Sequence, residues 1–211
     1  HGKTLLDLLA PLVVPNCRIA VLLVPKQLRE QLLKIDWEFY GQHWKLPDLA
    51  GGGWLTPGMP TLHVLSYSQL SSEKSSDILT RLGPDTIIAD EGHTLGNRTS
   101  ARTKRFLRRV SDGRTRFITW SGTLTRRGIA DYAHLATIAL GEAAPAPANW
   151  HTLQEWAGAL DPGEMKSPPG ALTQLCSPGE TINEAYSRRL TETMGVVTSG
   201  DMSSCQASLI I

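Results

Sequence analysis

Apolar positions along the chain switch between a strand-like and a helix-like period. Arg18–Val24 is a continuous β-branched and leucine run closed by Pro25, the pattern of a strand covered on both faces. Directly after it, Lys26–Ile35 places Leu28, Leu32, Leu33 and Ile35 at helical spacing. The alternation continues with a strand at Thr61–Ser66, a helix with a polar middle at Tyr67–Leu82, and a strand at Thr86–Ala89. A helix from about Ser100 to Val110, a strand at Arg116–Trp120 and a helix at Gly128–Leu140 follow. Strands alternating with helices predict an α/β fold with a parallel, doubly wound sheet. Leu5, Leu6, Leu8 and Leu9 add a short buried helix at the start, which Pro11 is expected to stop.

Two stretches break the alternation. Asp36–Pro60 is rich in Gly, Trp and Pro and reads as a long loop, with Trp37, Tyr40, Trp44 and Trp54 expected to pack beneath it. A nucleic-acid stacking surface is the alternative for those aromatics. Beyond Gly141 the composition turns to Pro and Ala, with a short helix near Leu153–Leu160 and another at Glu180–Met194. The expected division is therefore a sheet domain over 1–141, followed by a Pro-rich connector and mostly helical extension over 142–211.

Composition narrows the class. The chain has 211 residues, 41% hydrophobic and 19% charged, which excludes general disorder. No apolar run approaches the ~18 residues of a membrane span, and no charged-then-apolar leader opens the chain. Cys17, Cys176 and Cys205 are widely spaced, so neither a disulfide framework nor a zinc knuckle is indicated and a reducing cytoplasm fits. Charge is segregated: Arg98–Arg127 holds ten basic residues against one acidic, a local +9, leaving −8 for the rest of a chain of net charge +1. Such a block, with Arg105, Arg108, Arg109, Arg126 and Arg127 in it, is the footprint of a polyanion partner or a solvated face.

Three short strings carry chemistry. Gly2-Lys3-Thr4 opens a helix and matches the last three positions of the P-loop, G-x-x-x-x-G-K-[ST]. Helix N-terminal amides receive phosphate oxygens, the lysine neutralises the β- and γ-phosphates, and the hydroxyl ligates Mg²⁺. Asp90-Glu91-Gly92-His93 follows an apolar strand, where α/β sheets bind ligands. There Asp90 would hold the cation and Glu91 would orient and deprotonate a water. Ser121-Gly122-Thr123 ends the last strand. The six histidines show no metal-ligand spacing.

The string DEGHTLGN, Asp90–Asn97, resembles motif II of superfamily 2 helicases, and most closely that of Swi/Snf-type double-stranded DNA translocases. Ser121-Gly122-Thr123 resembles motif III, Leu22-Leu23-Val24-Pro25 motif Ia, and Val64-Leu65-Ser66-Tyr67 the serine-tyrosine element of that family. With Gly2-Lys3-Thr4, five signatures stand in the family's order over Gly2–Thr123. The chain departs from the pattern at Leu124, where a proline is usual, at Gly96, where a basic residue is usual, and at Arg126-Arg127, in place of an asparagine.

The resemblance implies a P-loop NTPase with a RecA-like parallel sheet sandwiched by helices, beginning inside its P-loop and paired with a second RecA-like lobe elsewhere in the polypeptide. It implies Mg-ATP hydrolysis driving movement on double-stranded DNA. Lys3 and Glu91 would be catalytic, Gly2, Lys3 and Thr4 would bind nucleotide, and Thr4 and Asp90 would hold Mg²⁺. His93, Ser121, Gly122 and Thr123 would couple hydrolysis to motion, with Lys26 and the arginines above as DNA contacts. A cytoplasmic protein of a bacterium or phage-infected cell, associated with the nucleoid, is expected. The alternative is a catalytically inactive lobe that only holds DNA or protein; intact Lys3, Asp90 and Glu91 argue against it.

Overall fold

The structure is a computed structural model, and it describes residues 2–121, 128–161, 170–198 and 207–209. Two compact units divide the chain, His1–Thr119 and Trp120–Ile211.

In the first unit, α1 (Lys3–Val13) leads into β1 (Ile19–Val24), and the helix runs through Pro11 to Val13. Pro11 forgoes the hydrogen bond its amide would have made, yet the helix continues for two residues beyond it. The next helix is longer than its apolar spacing predicted: α2 (Lys26–Gln31), a π-helical turn over Leu32–Asp36 and α3 (Trp37–Gly41) follow one another without a break. After β2 (Asp48–Leu49), a two-residue strand that no apolar run announces, the chain reaches β3 (Thr61–Ser66). The aromatics of this stretch do not all pack beneath it: Trp37 and Tyr40 are half-buried, Trp44 is 50% exposed and Trp54 98% exposed. Helical backbone through Gly41 turns their side chains around an axis instead of gathering them under a loop.

The expected long helix after β3 is split into α4 (Tyr67–Ser71) and α5 (Ile78–Leu82), because the serine-rich Ser72–Ser76 forms only a 3₁₀ turn between them. Then come β4 (Thr86–Asp90), α6 (Ala101–Val110) and β5 (Arg116–Trp120). The five strands form an all-parallel sheet in the order β2-β3-β1-β4-β5, flanked by helices, an arrangement shared by RecA-like and Rossmann-like folds. Ala20–Val24, Leu62, Ile87, Ile88 and Ala89 are almost completely buried, as central strands covered on both faces require. The register sets Val24 beside Ser66 and Leu23 beside Ala89. The last residues of β1, β3 and β4 therefore finish at one level of the sheet, which brings Lys26, Tyr67 and Asp90 to the same edge.

The second unit carries a core of its own. It is built by α7 (Ile129–Leu140), α8 (Trp150–Leu160), a 3₁₀ turn at Gly170–Leu175, α9 (Ile182–Glu192) and the antiparallel pair β6 (Val196–Thr198) and β7 (Ala207–Leu209). Tyr132, Leu153, Trp156, Leu172, Tyr186 and Leu190 are buried together, with the Tyr132 and Tyr186 hydroxyls hydrogen-bonded and the Arg189 guanidinium 5.9 Å from the centre of the Trp156 ring. Asn149 and Thr181 cap α8 and α9. The segment expected to be a connector thus folds around α7, which packs on α8. Among the described residues, no helix is long and apolar enough to cross a membrane.

Candidate functional site

Lys3 is the first residue of α1, where the unpaired amides of a helix N-terminus and a lysine coincide. Its ammonium lies 4.0 Å from Glu91 Oε1, so the two ends of the first unit's chemistry meet although they are far apart in sequence. Glu91 Oε2 in turn lies 3.2 Å from His93 Nδ1. Both Lys3 and Glu91 side chains are about one-third exposed (39% and 33%), enough to receive a ligand.

Glu91 adopts left-handed backbone geometry, with φ 54° and ψ 52°. A non-glycine residue there costs about 1–3 kcal/mol and persists where its surroundings enforce it. Here the enforcement is visible on both sides: Tyr67 donates its hydroxyl to the Asp90 carbonyl at 2.6 Å, and the Glu91 carbonyl accepts from the Thr94 amide at 3.0 Å. The turn aims Glu91 out of the strand direction while Asp90 remains at the strand's end.

Burial pushes the Asp90 carboxyl above the usual carboxylate range, and the neighbouring Glu91 charge pushes it further, with Lys3 opposing both. Two crowded acids with one lysine favour an added cation, and Asp90 with the Thr4 hydroxyl offers the oxygen donors a hard divalent ion takes. Among the described residues no group of three or more His, Cys, Asp or Glu side chains gathers as a metal site. A cation held by one or two protein oxygens plus phosphates and waters is the ordinary mode for Mg²⁺. Thr4, the second residue of α1 and half-buried, and Asp90, at the end of β4, carry oxygen donors of the type Mg²⁺ takes, and Lys3 carries the charge its phosphates would need.

Tyr67 is fully buried, and burial first, then the charges of Asp90, Asp7 and Glu91, raises its phenol well above its ordinary value. It stays a protonated donor. Asp7, one turn into α1 and 1% exposed, thus faces the same centre. Neither Tyr67's contact nor Asp7 was anticipated from sequence. A signal existed for the first, since Ser66-Tyr67-Ser68-Gln69 has the S-x-x-Q form of a capping box, and both hydrogen bonds of that box are present.

Gly92 is required by a close approach. A Cβ there would lie 1.7 Å from Thr119 Oγ1, and Thr119 is fully buried in β5 with its hydroxyl on the Ala89 carbonyl at 3.0 Å. Gly92→Ala is expected to destabilise the protein by the roughly 1–3 kcal/mol of an overpacked core, read as a lower urea midpoint. Adding Thr119→Ala, which removes the clashing atom, should restore part of that loss; no restoration would place the strain elsewhere.

Of the basic residues, Lys26 opens α2 and lines a groove of about 440 Å³ with Arg29, Glu30, Leu33, Lys34 and the Ser66–Gln69 turn. Arg105 and Arg109 are engaged within the fold. Arg105 donates to the Leu70 and Ser72 carbonyls, and Arg109 to the Pro84 carbonyl and Asp112. Arg108 and Lys104 of the same helix are exposed. Ser121 is buried just past β5, while Gly122, Thr123, Arg126 and Arg127 lie outside the described residues. A larger groove of about 900 Å³ opens among Pro11–Arg18, Gly58–Pro60 and Gly113–Arg116, at the opposite ends of the strands. It holds none of the candidate residues. Neither a family model nor a curated protein matches the sequence.

Proposed function

We propose that the chain is the ATP-binding lobe of a helicase-like, DNA-dependent ATPase that uses Mg-ATP hydrolysis to drive movement on duplex DNA. The observation that carries this reading is the meeting of Lys3 with Glu91 at 4.0 Å, beside Asp90 at the end of β4. A P-loop NTPase needs those three groups at one sheet edge, and the resemblance to superfamily 2 motifs supplies the same roles. Lys3 and the α1 amides take the β- and γ-phosphate oxygens. Thr4 and Asp90 would hold Mg²⁺, which would supply positive charge to neutralise that developing in the transfer. Glu91 accepts a proton from the water whose oxygen bonds to the γ-phosphorus as the bond to the ADP oxygen breaks. His93, against Glu91, together with Ser121, Gly122 and Thr123, passes the change onward to a second RecA-like lobe.

Duplex phosphates run past Lys26, whose groove neighbours Arg29 and Lys34 are held by the Val64 carbonyl and by Glu30, and along the exposed Lys104 and Arg108, giving affinity without reading bases. By sequence, Arg126 and Arg127 are further candidates for phosphate contacts. The protein works in the cytoplasm, on or near the nucleoid.

Phosphate release from the complete polypeptide, with and without duplex DNA, tests this reading. Hydrolysis is expected to require Mg²⁺, to rise with duplex of unrelated sequences alike, and to lose that stimulation as salt increases. DNA binding with no hydrolysis under any condition would instead establish the inactive binding module.

A further inference from the structure

The residue that takes the phosphates and the residue that takes the water's proton hold each other in this structure. Lys3 Nζ lies 4.0 Å from Glu91 Oε1, and His93 Nδ1 lies 3.2 Å from Glu91 Oε2, so each oxygen of the carboxylate has a neighbour of its own. The backbone on both sides of the Lys3–Glu91 contact is fixed. Lys3 opens α1, where the Leu6 amide donates to the Gly2 carbonyl at 3.2 Å. Glu91 is kept in its left-handed conformation by the Tyr67 hydroxyl on the Asp90 carbonyl and by the Thr94 amide on its own carbonyl. Making and breaking the pair is therefore a matter of the two side chains, and the ammonium on its flexible four-carbon stem is the member that swings. Both side chains are partly exposed, 39% for Lys3 and 33% for Glu91, and a pair that open is held weakly. A polyphosphate, with several negative charges, outcompetes one carboxylate for the same cation.

We propose that Lys3–Glu91 is a resting clamp that the nucleotide's own phosphates open. While it is closed, Lys3 is engaged by a carboxylate in place of a phosphate, and Glu91 Oε1 by an ammonium in place of a water. When phosphate oxygens draw Lys3 to themselves, Glu91 Oε1 is released to accept from the water, and His93 keeps the other oxygen and so holds the carboxylate where it stands. The base thus becomes available in the same step that brings in its substrate. Because both partners compete for one cation, the clamp also lowers nucleotide affinity. The inference rests on the reading of Lys3 as the phosphate cation and Glu91 as the general base.

The experiment measures equilibrium binding of a fluorescent ATP analogue to the complete polypeptide with divalent cations chelated, so that changes at the cation end of the site do not enter. Glu91→Gln removes the charge and is expected to tighten binding about two- to fivefold, the range for opening a partly exposed ion pair. Glu91→Asp keeps the charge but withdraws it by one methylene from a contact already at 4.0 Å, and aspartate tolerates left-handed backbone better than most residues. It is expected to tighten binding by a similar factor. In a Lys3→Ala background, where there is no clamp to open, neither substitution should change affinity. Plain repulsion between Glu91 and the phosphates gives a different pattern: Glu91→Gln then tightens binding with or without Lys3, and Glu91→Asp does not tighten it. Either half of that pattern, or an unchanged affinity for Glu91→Gln in the parent, overturns the clamp. Where Lys3→Ala binds too weakly to follow, or Glu91→Gln does not fold, Glu91→Asp decides alone. Failure of the underlying reading is distinct: the parent would then bind no analogue even with Mg²⁺ supplied, or Lys3→Ala would bind it as the parent does, and the clamp would fall with it.

Discussion

Glu91→Gln in the complete polypeptide is expected to bind Mg-ATP as the parent does and to hydrolyse it about 10²–10⁴-fold more slowly, the range for loss of a general base. The substitution keeps the shape of the side chain and replaces a proton acceptor with an amide that cannot take the water's proton. Its neighbourhood predicts which property survives. Glu91 is the partner of Lys3 and of His93, so neutralising it releases Lys3 for phosphate and removes the negative charge that helps push the Asp90 carboxyl up. Binding should therefore hold or tighten while turnover collapses. Equilibrium binding and single-turnover phosphate release on the same preparation separate the two, and normal turnover would mean that the base lies elsewhere.

The strands of the first unit were legible because a central parallel strand must be apolar on both faces. Arg18–Val24 and Thr86–Ala89 leave little else they could be, and the carboxylates after the second fall at a sheet edge for the same reason. Helix limits were less legible. The serines of Ser72–Ser76 compete for backbone hydrogen bonds and end α4 early, and the helix after β1 runs on through a π turn that apolar spacing does not mark. The basic block shows how little charge alone says about a side chain's employment. Arg105 and Arg109 are held by backbone carbonyls of other elements, an outcome that depends on where α6 lies against α4 and the Pro84 turn. In the same way, Tyr67 and Asp90 become partners only through the register of β3, β1 and β4, which places Ser66 level with Val24 and Ala89 level with Leu23. The core of the second unit was less legible because its apolar residues are divided among α7, α8 and α9, with proline-bearing segments between them, and meet only when those helices pack.

Lys3→Ala is expected to separate stability from function. In the unliganded protein Lys3 contributes an ion pair at 4.0 Å whose partners are each about one-third exposed, and such pairs contribute about 0–1 kcal/mol. The urea midpoint should barely move. The site should fail nonetheless, for two reasons that act together. Lys3 is the one cation the Gly-Lys-Thr string sets against the β- and γ-phosphates, and losing a preorganised charge aimed at the transferring group costs roughly 10²–10³ in rate. It is also the charge that opposes the burial of Asp90 and its repulsion by Glu91. Without it the Asp90 carboxyl rises further, holds its proton to higher pH, and competes less well for a divalent cation. Nucleotide affinity should therefore weaken most steeply on the acidic side, where protonated Asp90 no longer offers a carboxylate. Lys3→Arg retains the charge but spreads it over a planar fork, so it should recover much of the electrostatic support of Asp90 and less of the turnover. Binding measured across pH for both variants decides the assignment: unchanged ATP affinity in Lys3→Ala would remove Lys3 from the phosphate site, and a weakened affinity with no pH trend would separate Lys3 from Asp90.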